Sequence, residues 1–221
     1  VKRTEFLTRV SARLGRNGVP GDSPARDVVG VPEFWSQREL SERERVDRFR
    51  DNLVNLGGEV HLVSSVDELR DALSEVLGSL RIMRVGIWND RELQELVNPV
   101  LESYEVSTWG IEPASAFVDM DLGITGAQFG VADTGTLVLS CGGGRGRSVH
   151  LLPPVHLAVL RASQIKTRLG EALQELSSHL TEIDSYVHFV TGPSRSSDIE
   201  NDQSIGVHGP AAEIVIVVEN L

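Results

Sequence analysis

Two stretches near the C-terminus set acid–base and anion-binding side chains among glycines, prolines and serines. The first is Gly192-Pro193-Ser194-Arg195-Ser196-Ser197-Asp198-Ile199-Glu200. Arg195 and the hydroxyls of Ser194 and Ser196 could hold a carboxylate or phosphate at the start of a helix, where free N–H groups and the helix dipole favour an anion. Asp198 does not suit a simple anion cradle, and would orient Arg195 or take a ligand hydroxyl. The spacing Ser197-x-x-Glu200 has an equally good structural explanation as a capping box. The second stretch is Gly206-Val207-His208-Gly209-Pro210. His208 is a candidate general acid or base, with Gly209 beside it and Asp198 or Asp202 as its candidate partner. A structural histidine in a turn is the competing reading.

Two further segments carry polar groups where strands end. In Gly130-Val131-Ala132-Asp133-Thr134-Gly135-Thr136, Asp133 and the hydroxyls of Thr134 and Thr136 could face a polar ligand. The same residues also make a hairpin turn, with Gly135 at positive φ and Asp133 bonding its own backbone. In Cys141-Gly142-Gly143-Gly144-Arg145-Gly146-Arg147-Ser148, consecutive N–H groups with Arg145 and Arg147 could receive an anion. The Gly-Lys-Ser/Thr ending of a phosphate-binding loop is missing, and a flexible connection explains the glycines as well. Cys141 reads as a packed thiol rather than a nucleophile. His150 and His156, around Pro153-Pro154, resemble a strand-entry turn more than a metal pair.

Composition narrows the classes. The chain has 221 residues, 40% of them hydrophobic and 24% charged, enough for one sizeable core. A net charge of −11 repels phosphate backbones and argues against nucleic-acid binding. One cysteine excludes an internal disulfide and a cysteine-ligated cluster or zinc site built from this chain alone, so the chain itself is expected to carry no cofactor. No apolar run approaches the roughly 18–20 residues of a membrane span, and the first residues lack a signal-peptide core, so a cytoplasmic location is expected.

The elements that must position these segments fall into two parts. Residues 1–56 read as a helical arm. Phe6, Leu7, Val10 and Leu14 mark one helix, and a second runs from Ser36 or Ser41 to Leu56 before Gly57-Gly58. Residues 57–221 read as one α/β domain. Strands over Val60–Val63, Arg81–Trp88 and Tyr104–Thr108 alternate with helices over Val66–Leu77 and Arg91–Val97, the pattern of a parallel sheet covered on both faces. Closely spaced β segments follow at Ala116–Met120, Gly123–Val131, Gly135–Ser140 and Val155–Leu160. A helix over Gln164–Leu180 and strands over Ser185–Val190 and Glu213–Glu219 complete the chain.

Taken together, five stretches resemble the lactate-utilisation protein C, or LUD-domain, family in order and spacing. They are Gly123-Ile124-Thr125-Gly126-Ala127, Ala132-Asp133-Thr134-Gly135-Thr136, Leu151-Leu152-Pro153-Pro154-Val155-His156, and the two stretches at 192–200 and 206–210. The likeness is strong over residues 60–221 and loose over the arm. The family usually has Thr then Ala where this chain has Ser196 and Ser197. The resemblance implies a fold similar to the phosphosugar isomerase and coenzyme A transferase group (NagB/RpiA/CoA transferase-like), with a parallel-sheet core and a small additional β element. It further implies an accessory subunit of a bacterial system oxidising L-lactate to pyruvate, with iron–sulfur clusters held by two partner proteins. An independent coenzyme A thioester or phosphosugar enzyme and a scaffold without ligand are the alternatives. Against the first of these, no complete nucleophile-and-base pair is legible.

Overall fold

The apolar residues at helical spacing near the start form α1 (Arg3–Arg13), after which Gly15 turns the chain at φ +66°. The computed structural model describes residues 2–16, 18, 39–178, 186–196 and 204–220. Residues Val1–Arg38 and Glu39–Leu221 are separate units, and among the described residues the sheets and every helix after α1 belong to the second. Ser41 is the helix start used. Its hydroxyl caps the Glu44 N–H while the Glu44 carboxylate takes the Ser41 N–H at 2.8 Å, closing a capping box on α2 (Glu42–Asn55). Val46, Phe49 and Leu53 form the buried stripe of α2, so this helix is built into the core of the second unit although its charge pattern groups it with the arm. Gly57, at φ +83°, closes it.

The core is a six-stranded sheet, all parallel, in the order β1 (Glu59–Val63), β12 (Ala212–Val218), β7 (Val155–Arg161), β4 (Leu122–Gly126), β2 (Arg84–Ile87), β3 (Glu105–Thr108). Helices α3 (Val66–Ser79, capped by Ser65) and α4 (Arg91–Leu101, capped by Asp90) make the early crossovers. In β12, Ile214 through Val218 are each at most 2% exposed, so both faces of this strand are covered, as its unbroken β-branched run requires. From β2 the chain steps outward to β3, then returns to the other side of β2 for β4 and continues through β7 to β12. The order of strands therefore reverses between β2 and β4.

A second, four-stranded sheet runs β8 (Ile165–Lys166), β5 (Phe129–Val131), β6 (Thr136–Cys141), β9 (Tyr186–Val190), backed by α6 (Leu169–Ser178) through Ala172 and Leu176. A short helix α5 (Ser148–Leu151) precedes β7, and β10 (Arg195–Ser196) pairs antiparallel with β11 (Ser204–Ile205).

Three expectations change. Ala116–Met120 is not a strand: Ala114–Asp119 is a 3₁₀ turn opened by Pro113, with Phe117 buried against Trp109 at 5.2 Å between ring centres. A short apolar run has no period that separates these outcomes. Gly123–Val131 is two strands in two sheets. The Ala127 N–H still bonds Val159 of β7 at 3.0 Å, and the next N–H, of Gln128, bonds Val138 of β6 at 2.9 Å. The crossing takes a single peptide and no turn residue, which is why nothing in the sequence marks it. The helix expected from Gln164 starts only at Leu169, because Ile165 and Lys166 pair with Gly130 and Val131.

Candidate functional site

Open α/β sheets bind ligands beyond the carboxyl ends of their strands, where the strand order reverses. Here that place is the gap after β2 and β4, and a cleft of about 200 Å³ opens there. Trp88 follows β2, Gly126 ends β4 with Ala127 and Gln128 directly after it, and Val159 and Arg161 lie in the last part of β7, so three neighbouring strands supply the floor. Helix α4 points its first turn into the cleft. Asp90 caps that turn through the Leu93 N–H at 3.1 Å, and Glu92 forms an ion pair with Arg161. Gln164 accepts the Arg161 backbone N–H at 3.2 Å, and Arg145 adds a second guanidinium to the lining. The cleft thus has an apolar wall of Trp88 and Leu93 and a polar rim of two guanidiniums, two carboxylates and two amides.

Beneath the sheet's middle strands lies a buried polar network. Gly123, His156 and Glu213 are register partners across β4, β7 and β12. His156 Nδ1 lies 2.8 Å from Glu213 Oε1 and 3.0 Å from Oε2, with the better-directed hydrogen bond to Oε2. His156 Nε2 meets the Thr125 hydroxyl at 2.8 Å. All three residues are buried. Helix α5 brings His150 to the same place, with ring centres 5.6 Å from His156 and 5.0 Å from His188 of β9, and a 2.8 Å hydrogen bond between His150 Nε2 and His188 Nδ1. Burial raises the Glu213 carboxyl above the ordinary range, opposed by His156. Burial, then the neighbouring His156 and His188, lower His150 to about 2, and burial with His156 lowers His188. Carboxylate, imidazole and hydroxyl stand in the order used to hold and pass a proton, but the hydroxyl is enclosed. No group of three or more side chains suited to a metal is gathered among the described residues. Trp88 links network and cleft: its ring meets His150 edge-on at 6.3 Å, and its Nε1 donates to the Gly146 carbonyl at 2.9 Å.

The residues singled out by type and spacing occupy other places. Asp133 sits in the β5–β6 turn, 3.1 Å from Arg48 and 4.0 Å from Arg168. Gly135 has φ +63° and lies so close to the backbone of Asn52 and Leu53 that a side chain would strike α2. Thr134, Thr136 and Thr191 form a hydroxyl chain with steps of 2.7 and 2.9 Å, which ties this turn to the stretch starting at Gly192. That stretch and the one at 206–210 are joined: Ser194 donates its N–H to Pro210 and accepts from Gly206, both at 2.9 Å, and Gly209 faces the Ser194 side chain. Ser196 pairs with Ser204, and the Arg195 guanidinium donates to the Leu56 carbonyl at the end of α2. His208 is exposed in the bend before β12. Asp198, Asp202 and the Ser197–Glu200 capping pattern lie outside the described residues.

These segments therefore gather around the C-terminal end of α2 and, through the 2.8 Å bond from Ala211 N–H to Pro154, at the entry ends of β12 and β7, opposite to the cleft. The glycine-rich loop lies nearer the cleft. Gly144 packs on Asn89 and Gly146 on the Trp109 ring, Arg145 lines the cleft, and Arg147 lies 5.4 Å over the Tyr186 ring. Cys141 is buried. Residue type and spacing do not single out the lining residues Glu92, Gln128 and Arg161 or the buried pair His156–Glu213. For the pair a signal exists, since each is a titratable residue inside an otherwise apolar strand.

The LUD domain matches residues 46–218. Over nearly its whole length the chain is similar to proteins named Lactate utilization protein C. It is 31% identical to that of Halalkalibacterium halodurans over 99% of this chain and 98% of the relative, and 27% identical to that of Bacillus subtilis over 97% and 95%. A crystal structure of a DUF162 family protein from Deinococcus radiodurans has the same fold, with a TM-score of 0.60 and 24% identity over 81% of this chain and 99% of that one. The chain belongs to the LUD-domain family.

Proposed function

We propose that the protein serves the oxidation of L-lactate to pyruvate in the bacterial cytoplasm, as the subunit without a cluster of its own, and that the cleft after β2, β4 and β7 takes a small anionic ligand. The observation that carries this reading is the end-to-end similarity to Lactate utilization protein C, with neither chain leaving a long unmatched portion. The lone buried Cys141 supports the division of labour, since a cluster needs three or four thiolates and would reside in partner proteins. The cleft's size supports a small ligand: about 200 Å³ falls below the roughly 300–1,000 Å³ of sites that enclose drug-sized molecules. That favours a small acid over a coenzyme A thioester or sugar phosphate.

Affinity capture from cells grown on lactate tests the role. Recovery of two cysteine-rich iron–sulfur proteins with this chain, together with loss of growth on lactate when the chain is deleted, is the expected result. Normal growth of the deletion strain removes the proposal. An independent enzyme would instead show turnover of a thioester or sugar phosphate by the purified chain alone.

A further inference from the structure

Arg161 ends β7 and Glu92 stands in the first turn of α4, and their ion pair spans the cleft. The Glu92 side chain is 66% exposed and that of Arg161 31% exposed, so water competes for both and the pair adds little to the stability of the fold. The position of Arg161 is nevertheless fixed. Its backbone belongs to the central strand β7 and its N–H is held by Gln164, and the residue lines the cleft. A guanidinium presents two parallel N–H groups that match a carboxylate, and Glu92 supplies one from within the chain. The same cleft is lined by Gln128, whose amide is able to donate or accept, and by Trp88.

We infer that Arg161 is the carboxylate receptor of this cleft, that Glu92 holds its place until a ligand displaces it, and that the ligand is a three- or four-carbon monocarboxylic acid with a 2-hydroxy or 2-oxo group. The carboxylate follows from Arg161 and the cleft; the choice of a 2-hydroxy or 2-oxo acid rests on the proposed role in lactate oxidation. Displacement is an exchange of like for like. One carboxylate leaves the guanidinium for water as another arrives, so the resident pair weakens binding without blocking it, and removing the Glu92 charge strengthens it.

The test is an NMR titration of the full chain with sodium L-lactate, sodium pyruvate and the neutral isostere lactamide, following the Trp88 indole N–H and the Arg161 Nε–H. Both acids are expected to shift the two signals and lactamide is not. Arg161→Gln is expected to weaken acid binding roughly tenfold or more, in line with the loss of a charge-assisted bidentate contact, and Arg161→Lys to weaken it less. Glu92→Gln, at an exposed position, is expected to tighten it severalfold. Dispersed spectra of each variant verify folding. Absence of shifts with either acid, equal shifts with lactamide, or unchanged binding in Arg161→Gln overturns the inference. Those results leave the pathway reading intact if deletion still abolishes growth on lactate, whereas acid binding in a chain dispensable for that growth keeps the site and removes the pathway.

Discussion

His156 and Glu213 are register partners on adjacent parallel strands, and the imidazole Nδ1 stands 2.8 Å from a carboxylate oxygen with both side chains buried. A polar group in this position is tolerable only while its partner is there. Removing the imidazole leaves the buried Glu213 carboxyl without its hydrogen-bond partner, a loss of about 1–3 kcal/mol for a polar group stranded in a core. His156→Ala is expected to lower the urea midpoint by a corresponding amount. A double change to His156→Leu with Glu213→Leu should recover much of it, because an apolar pair has no polar group to desolvate. A single variant as stable as the parent would mean the pair is not coupled in solution.

Acid should unfold this protein partly through its histidines. His150 binds a proton in the unfolded chain near pH 6.5 and in the fold only near pH 2; His188 shifts in the same direction. Below about pH 6.5 the unfolded state therefore holds more protons, and stability falls as pH falls, by up to about 1.4 kcal/mol per pH unit for each histidine fully affected. Glu213, with its raised value, works with the opposite sign above the ordinary carboxylate range. The clean measurement is a difference: urea unfolding of the parent and of His150→Gln between pH 4.5 and 7.5. The gap between them should narrow toward acid, and a gap independent of pH would count against a neutral buried His150.

Two glycines of β4 give a contrast. A methyl at Gly123 would run into the Val149 carbonyl of α5, whose backbone cannot yield without unseating the helix. A methyl at Gly126, three residues on, meets no atom within 4 Å and enters the cleft. Gly123→Ala should cost about 3 kcal/mol or more, or prevent folding. Gly126→Ala should leave the melting temperature nearly unchanged while weakening whatever the cleft binds. Thermal melts and the pyruvate titration measure the two effects separately.

Arg195 caps α2 from a distance of 139 residues in sequence. Its guanidinium meets the carbonyl end of the helix dipole, so Arg195→Ala is expected to destabilise by about 1 kcal/mol, and Arg195→Lys by less. If Arg195 instead binds the anion, as its setting among serines suggests, Arg195→Ala will abolish growth on lactate with the melting temperature unchanged. Growth and melting together distinguish a cap from a ligand contact.

The alternation of strands and helices from residue 59 to 108 is legible in the sequence because each element carries its own period. Its helices also carry their own caps, with Ser65 and Asp90 standing directly ahead of the apolar stripes they start. The hairpin at Gly135 is legible for the same local reason. What escapes is decided by pairing between distant segments. The break between β4 and β5 exists because Val159 of β7, far along the chain, takes the Ala127 N–H while Val138 of the adjoining hairpin takes the next one. The cleft joins Glu92 to Arg161, residues ordinary in their own surroundings and paired only by the strand order. Glu213, by contrast, stands in Ala-Glu-Ile-Val-Ile-Val-Val, where an acid among apolar residues asks for a buried partner and points to a residue such as His156.

The two consecutive peptides that carry the Ala127 and Gln128 N–H groups go to different sheets, and both residues line the cleft. A molecule resting on them touches the six-stranded sheet through Gly126 and the four-stranded sheet through the Gln128 backbone. The two sheets are thus stitched together at the floor of the cleft, where consecutive N–H groups go to different sheets. A ligand in the cleft would therefore rest on the seam itself, with β6 beginning one hydrogen bond away.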